Sequence, residues 1–232
     1  MKVSLRRHLQ KLRTIKRSYH HPLIHVIHKK HHVSHKTLFY IKEYGPHAHV
    51  ARTIIKESIE ILLMASIISS FGGLALEKIK PLFIGIMPLI ILLPTLNNMI
   101  GAYGTVVSSR FSTMLYEGRV RSSIWVNKEL KKLFFQVLFI AITTALLSVL
   151  FSVFTSRALN VTVAFLVTLK LMLIVIADVA ILVSVLFIVA VLAGLYFYHK
   201  KEDPNNFLIP ITTSIADYAN MALLALLVPL FF

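Results

Sequence analysis

An aspartate lies inside the last apolar segment of the chain. Asp217 occurs in the run Ile-Pro-Ile-Thr-Thr-Ser-Ile-Ala-Asp-Tyr-Ala-Asn, and no Lys or Arg follows it before Phe232. An ionised carboxylate in hydrocarbon costs about 2.5 to 3.5 kcal/mol on insertion scales, so we expect its side chain to face a water-filled path or a bound cation. Asp217 is therefore the first candidate functional residue.

The second apolar segment carries two adjacent amides, Asn97 and Asn98, between Pro94 and the pair Gly101 and Gly104. Prolines and glycines loosen helical hydrogen bonding and allow close packing. Amide and carbonyl oxygens supplement one or two carboxylates in the oxygen sites that Mg²⁺ prefers. Two interpretations stay open: this segment lines a pore, or it is a tightly packed helix whose asparagines hydrogen-bond across a bundle.

Seven histidines lie between positions 20 and 35, many at helical steps of three and four residues: His20, His21, His25, His28, His31, His32 and His35. Imidazoles at such spacing on one face can share Zn²⁺ or Ni²⁺. Pro22 interrupts the start of this pattern, and no carboxylate lies nearby to orient a ligand ring. We therefore favour a basic surface helix or a disordered arm over a metal site, since histidine-rich tracts are compositional signals.

Other charged residues fall in or beside apolar segments. Lys170 and Asp178 are eight residues apart, or about 12 Å along a helix, which is too far for a direct ion pair within it. Asp178 is interpreted as a structural partner of Lys170 or of a polar group on another segment, with a second ion ligand as the alternative. Glu57 and Glu60 open the first apolar segment, where a place at the membrane interface or in a vestibule is expected.

The composition predicts an all-α integral membrane protein. Hydrophobic residues make up 56% of the chain and the mean hydropathy is +0.75. Several runs approach the roughly 20 residues that cross a bilayer as a helix, and none alternates like a barrel strand. Five spans are predicted, at residues 59–76, 81–109, 133–155, 161–198 and 207–232.

Two of these spans carry further expectations. The fourth is predicted to be one long tilted helix that projects past the bilayer. The fifth follows the turn-forming Asp203-Pro204-Asn205-Asn206, with Pro210 expected near its first turn. Residues 1–54 are predicted to be a separate basic, histidine-rich arm, and residues 55–232 a five-helix transmembrane domain.

The distribution of Lys and Arg predicts the orientation. Residues 1–56 hold thirteen of them, and the connection between the second and third spans holds six. The positive-inside rule therefore places the N-terminus in the cytoplasm and the C-terminus outside a cell membrane. The net charge of +15 is explained by attraction of this face to anionic lipid headgroups, so no nucleic-acid partner is expected.

Several chemistries are excluded or disfavoured. The chain has no cysteine, which excludes disulfides, thiolate ligands and cysteine nucleophiles. The first fifty residues lack the apolar run of a cleavable signal peptide, so we expect them to stay attached. A lone intramembrane Asp without a paired carboxylate, a positioned His or a phosphate loop does not indicate an enzyme or a bound cofactor.

Two segments together resemble the membrane domain of MgtE-type magnesium channels and their solute carrier relatives. They are the Pro/Gly/Asn-rich second span that ends Ser-Ser-Arg-Phe-Ser-Thr, with Glu117-Gly118 beyond it, and the pattern Asp203-Pro204, spacer, Pro-x-Thr-Thr-x-x-x-Asp. The resemblance covers residues 55–232. It implies five helices per protomer, a pore between two protomers, and Mg²⁺ as the transported ion.

The resemblance also implies the metal-binding residues. In that family an acidic residue of the fifth helix binds hydrated Mg²⁺, and the corresponding residue here is Asp217. The Thr213 carbonyl, one turn earlier, would contribute to the same site, and Asn97 or Asn98 would face it from the second helix. The choice between the two asparagines stays open at this point.

Departures from the family pattern leave alternatives. The segment before the first span is only a short basic arm, without the CBS pair that senses Mg²⁺ in many members, so gating by that route is not expected. A single five-helix unit implies a homodimer, in which two copies of Asp217 flank a two-fold axis. The alternatives are a Zn²⁺, Co²⁺ or Ni²⁺ transporter fed by the histidine arm, and a membrane scaffold that moves no ion.

Overall fold

Long helices make up the fold. The structure, a computed structural model, describes residues 8, 11, 22–34, 37–38, 50–77, 79–120, 127–200 and 202–232. In chain order the helices are α1 (Pro22–His31), α2 (Val50–Glu77), α3 (Lys80–Gly85), α4 (Met87–Tyr116), α5 (Lys128–Ala158), α6 (Phe165–Lys200) and α7 (Pro204–Phe231). No strand occurs within these ranges, as expected where each backbone amide needs a partner in its own segment.

Five of these helices, α2, α4, α5, α6 and α7, are long and apolar enough to cross a membrane, which confirms the five predicted spans. The fourth span is a single helix, α6, of 36 residues. At 1.5 Å per residue it is about 54 Å long, so it exceeds the roughly 30 Å hydrocarbon thickness even when tilted.

The second span is divided near its start. Ile86 leaves the helical region of backbone space, with φ −120° and ψ 84°, and separates the short α3 from α4. The interruption falls between Gly85 and Pro88. α4 then runs on to Tyr116, seven residues beyond the predicted end, and accommodates Pro94 within the helix.

The fifth span begins earlier than predicted. Asp203 caps α7, since its side chain accepts a hydrogen bond from the Asn205 backbone N–H at 3.0 Å, and Pro204 occupies the first helical position. A proline at that position costs little because its missing N–H has no helical partner there. The prediction that Pro210 lies near the first turn was wrong by about one turn: it lies inside the helix.

The core lies around α6, which is the most buried of the five spans and packs against α4, α5 and α7. Gly194 permits α6 to approach α4 and α7 closely, because a Cβ at this position would lie 2.7 Å from the Phe111 ring and 3.1 Å from the Leu208 side chain. α6 therefore fixes the relative positions of α4 and α7.

α2 packs mainly against α7 and leaves much of its apolar surface outside the bundle. Leu62, Leu63, Phe71 and Leu74 are at least half exposed. In a membrane these side chains contact lipid or another protein. The helix begins at Val50, so the boundary proposed between residues 54 and 55 falls within it.

Candidate ion-binding site

Asp217 receives hydrogen bonds from two other helices. The Asn97 amide of α4 donates to Oδ1 at 2.8 Å, and the Ser69 hydroxyl of α2 donates to Oδ2 at 3.1 Å. The Asp217 side chain is only partly buried. Three membrane helices thus meet at one carboxylate, and each of its oxygens keeps room for a further partner because a carboxylate oxygen has two lone pairs.

Asn97 connects Asp217 to a second residue of α7. Its Oδ1 accepts a hydrogen bond from the Asn220 amide at 3.1 Å, while its own amide group is directed at Asp217. Asn220 is fully buried, and its Oδ1 has no hydrogen-bond partner in the described part of the chain. We refer to Ser69, Asn97, Asp217 and Asn220 together as the polar cluster.

The cluster carries an uncompensated negative charge. The ion pairs between described residues are Lys80–Glu77, Arg119–Glu117 and Arg119–Glu129, and none of them includes Asp217. Its two donors are a neutral amide and a neutral hydroxyl. Neutral donors orient a carboxylate without cancelling its charge, so the arrangement leaves that charge available to a cation.

Asn98 points elsewhere. It is exposed and belongs to a polar stripe along α4, formed by Thr95, Asn98, Ser109 and Thr113, all exposed in the single chain. The structure therefore brings Asn97, and not Asn98, against Asp217. A polar stripe on the outside of a membrane helix is unfavourable against lipid, so it faces water or another protein.

Small residues allow α4 and α7 to approach closely between one and three turns from the cluster along α4. A Cβ at Gly104 would lie 3.1 Å from Thr212 Cβ, and the Ser108 and Thr212 hydroxyls are 3.2 Å apart. Thr213 lies beside Gly101, with its methyl group 3.9 Å from where a Cβ would stand, and its hydroxyl bonds to the Ile209 carbonyl at 2.9 Å.

Gly72 allows α2 and α7 to approach closely, as Gly104 does for α4 and α7. A Cβ there would lie 2.8 Å from Met221 Sδ and 3.3 Å from the Asp217 carbonyl oxygen. Gly73, the next residue, has no atom within 4 Å of such a Cβ. Gly72 therefore sets how near Ser69, one turn earlier, comes to Asp217.

Asp178 stands apart from the cluster. It is completely buried on α6, and neither carboxylate oxygen has a hydrogen-bond partner among the described residues. Lys170 does not reach it: the Lys170 ammonium lies over the Phe232 ring, 5.0 Å from the ring centre. No polar group on another span pairs with Asp178 in the described ranges, so the predicted partner is not found there.

The histidine arm is described only in part. His28 Nδ1 lies 2.8 Å from the Val33 carbonyl oxygen, and the rings of His8 and His31 are 5.6 Å apart. Burial, then the neighbouring His8, lower the pKa of His31. The described residues contain no group of three or more His, Asp or Glu side chains that could hold a metal. His20, His21, His35 and the His25 side chain lie outside the described residues.

Two glutamates, Glu57 and Glu60, lie at the start of the first span. Glu60 is exposed on α2, whereas the Glu57 side chain lies outside the described part of the chain. Neither contributes to the polar cluster as described.

Sequence reasoning found Asp217 and the pair of asparagines but missed Ser69, Gly72 and Asn220. The run Ser69-Ser70-Phe71-Gly72-Gly73 is a signal that could have indicated a close helix contact, since small residues concentrate where membrane helices pack tightly. Asn220 stands three residues after Asp217, on the same side of a helix, so the cluster extends along one face of α7.

The five spans and the polar cluster between three of them define a multi-pass membrane protein with a charged group held inside its apolar bundle. A family model described as MgtE, divalent cation transporter, matches residues 93–227, which is more than half of the chain. The chain therefore belongs to the MgtE family of divalent cation transporters.

The matched residues include Asn97, Asp217 and Asn220 but not Ser69 or Gly72, which precede them. No match was found among curated proteins, and none among solved structures. Family membership assigns divalent cation transport to the chain.

Proposed function

We propose that this protein conducts Mg²⁺ across the membrane through a pore formed by two copies of the chain. Asp217 attracts the hydrated ion, the Asn97 amide orients the Asp217 carboxylate, and the Thr213 carbonyl supplements it as an oxygen ligand. The N-terminus lies in the cytoplasm and the C-terminus outside, as the distribution of Lys and Arg predicts.

The observation that carries this proposal is the charge of Asp217, held by neutral donors and by no cation in the described part of the structure. Mg²⁺ is a hard ion that takes oxygen ligands and keeps several of its waters, so one or two carboxylates with amides and carbonyls suit it. The only atoms of the cluster that can serve as metal ligands are oxygens. A softer ion would gain more from imidazole or thiolate ligands, and the cluster contains neither.

The need for a second copy rests on the polar stripe of α4. Asn98, Ser109 and Thr113 are exposed in one chain, and Asp217 is partly exposed. Two stripes related by a two-fold axis would enclose a polar path, and no other element is required. The two Asp217 carboxylates would then repel each other, and a divalent cation between them would relieve that repulsion.

The test is metal flux into proteoliposomes loaded with a Mg²⁺-sensitive dye. Asp217→Asn should reduce Mg²⁺ flux at least about tenfold, because a loss of roughly 1.4 kcal/mol in cation stabilisation already has that effect. The matched control is Asp178→Asn, the same chemical change on a membrane helix. It should fold and keep its flux, since a neutral amide costs less than an isolated carboxylate in a buried site without donors.

Near-normal Mg²⁺ flux through Asp217→Asn would remove the proposal. Flux of Zn²⁺, Co²⁺ or Ni²⁺ that excess Mg²⁺ fails to inhibit would favour a transition-metal transporter instead. Wild-type protein that is folded and inserted but moves none of these ions would indicate a membrane scaffold.

A further inference from the structure

A second polar site lies about 20 Å along α4 from Asn97, at the end of the bundle where α4 finishes and α5 begins. There the two helices border an open cavity of about 760 Å³. Its wall includes three basic residues, Arg110, Arg119 and Lys132, together with Gln136 and the apolar side chains of Val106 and Ile140. None of these residues belongs to the polar cluster around Asp217.

The charges in this cavity do not cancel. Arg119 forms ion pairs with Glu117 at 2.6 Å and with Glu129 at 3.3 Å, and both glutamates also line the cavity. Arg110 and Lys132 are exposed and have no ion pair with any described residue. Arg119 and its two carboxylates together carry one negative charge, whereas Arg110 and Lys132, one on each helix, carry two positive charges that no described residue pairs, so the cavity has a net positive charge.

The cavity is charged at one end and apolar at the other. Glu117, Arg119 and Glu129 lie at the helix termini and Arg110 and Lys132 come next. Val106 is one turn deeper than Arg110 on α4, and Ile140 is two turns deeper than Lys132 on α5. Phe139, next to Ile140, is exposed and also lines the cavity. Polar contacts at the membrane surface followed by apolar contacts towards its centre are the order in which a phospholipid presents its headgroup and its chains.

We propose that this cavity binds one acidic phospholipid. Its phosphate lies between Arg110 and Lys132, and an acyl chain follows Val106, Phe139 and Ile140. Basic pockets between membrane helices on the cytoplasmic side suit anionic headgroups, and both Arg and Lys pair well with phosphate. The lipid would link the end of α4, the helix that also carries Asn97, to the start of α5.

The experiment measures lipid binding and is independent of ion flux. The full chain, purified in detergent, is mixed with phosphatidylglycerol or with phosphatidylcholine of the same acyl chains. Retained lipid is counted by native mass spectrometry, and the thermal transition is recorded in parallel. The test variant is Arg110→Gln with Lys132→Gln. The matched control is Lys128→Gln with Lys200→Gln, which removes the same charge from exposed positions outside the cavity.

The wild type and the control should retain phosphatidylglycerol in preference to phosphatidylcholine, and phosphatidylglycerol should raise their thermal transition, as a ligand specific for the folded state does. The Arg110/Lys132 variant should retain several-fold less of it. Inorganic phosphate alone should not raise the transition, because the apolar half of the cavity would stay empty.

Three results would overturn the proposal. They are equal retention of the two lipids by the wild type, equal retention of phosphatidylglycerol by the two double variants, and a shift of the Arg110/Lys132 variant alone from dimer to monomer. The last would assign this cavity to a contact between copies of the chain.

Discussion

The Asn97 amide donates to Asp217 Oδ1 at 2.8 Å, while Asn97 Oδ1 accepts from the Asn220 amide at 3.1 Å. One side chain of α4 thereby holds two side chains of α7 that are three residues apart. Because both bonds lie within the bundle, replacing Asn97 leaves a carboxylate oxygen and a buried amide without these partners. Asn98, on the outer face, has no comparable contact among the described residues.

Asn97→Ala should destabilise the protein by about 1 to 2 kcal/mol, the range for leaving buried hydrogen-bonding groups unpaired in a membrane protein. Asn98→Ala, the matched change one residue later, should alter the stability by less than about 0.5 kcal/mol. Unfolding in mixed micelles measures both. Equal effects of the two variants would contradict the assignment of Asn97 as the residue that holds Asp217.

Gly72 and Gly73 offer a second matched pair, on α2. Gly72→Val should force α2 away from α7, because even a Cβ there would lie 3.3 Å from two backbone atoms of α7, the Asp217 carbonyl oxygen and Tyr218 Cα, which cannot move aside as a side chain can. We expect a loss of about 1 to 3 kcal/mol, typical of overpacking, and a lower Mg²⁺ flux as Ser69 leaves Asp217. Gly73→Val faces open space and should be nearly neutral in both measurements.

Thermal unfolding and proteoliposome flux decide this prediction. If the Gly73 variant loses as much stability as the Gly72 variant, the assignment of Gly72 to the close contact between α2 and α7 is contradicted.

The proposed two-fold pore predicts where copies of the chain meet. The natural sequence has no cysteine, so single cysteines can be introduced without interference. Asn98→Cys or Ala102→Cys, on the exposed stripe of α4, should cross-link two chains in native membranes. Phe151→Cys, exposed on the outer face of α5, should remain monomeric on the same gel. Cross-linking only through position 151 would place the contact between copies on another face.

The histidine arm gives a prediction that separates two classes of transported ion. Imidazole binds Mg²⁺ poorly, so deletion of residues 1–40 should leave the ratio of Mg²⁺ to Zn²⁺ flux unchanged in the protein that remains inserted. Quantifying inserted protein on the same liposomes is the necessary control. A deletion that spares Mg²⁺ flux and eliminates Zn²⁺ flux would support transition-metal delivery by the arm.

The sequence alone determined the five spans, because the length and apolarity of a membrane helix are local properties set by the bilayer thickness. It also singled out Asp217, since an ionised group in hydrocarbon is conspicuous whatever surrounds it. The start of α7 was misplaced by one turn because the cap formed by Asp203 and Pro204 competes with an apolar pattern that begins only at Phe207.

Only the tertiary structure decided which asparagine meets Asp217. Asn97 and Asn98 are chemically identical, but successive residues on a helix point about 100° apart, so the rotation of α4 in the bundle directs one inward and the other outward. Ser69 lies 148 residues from Asp217 along the chain and Asn97 lies 120, and no local pattern encodes such contacts. They depend on how closely α2 and α4 approach α7, which Gly72 and Gly104 permit through the absence of a Cβ.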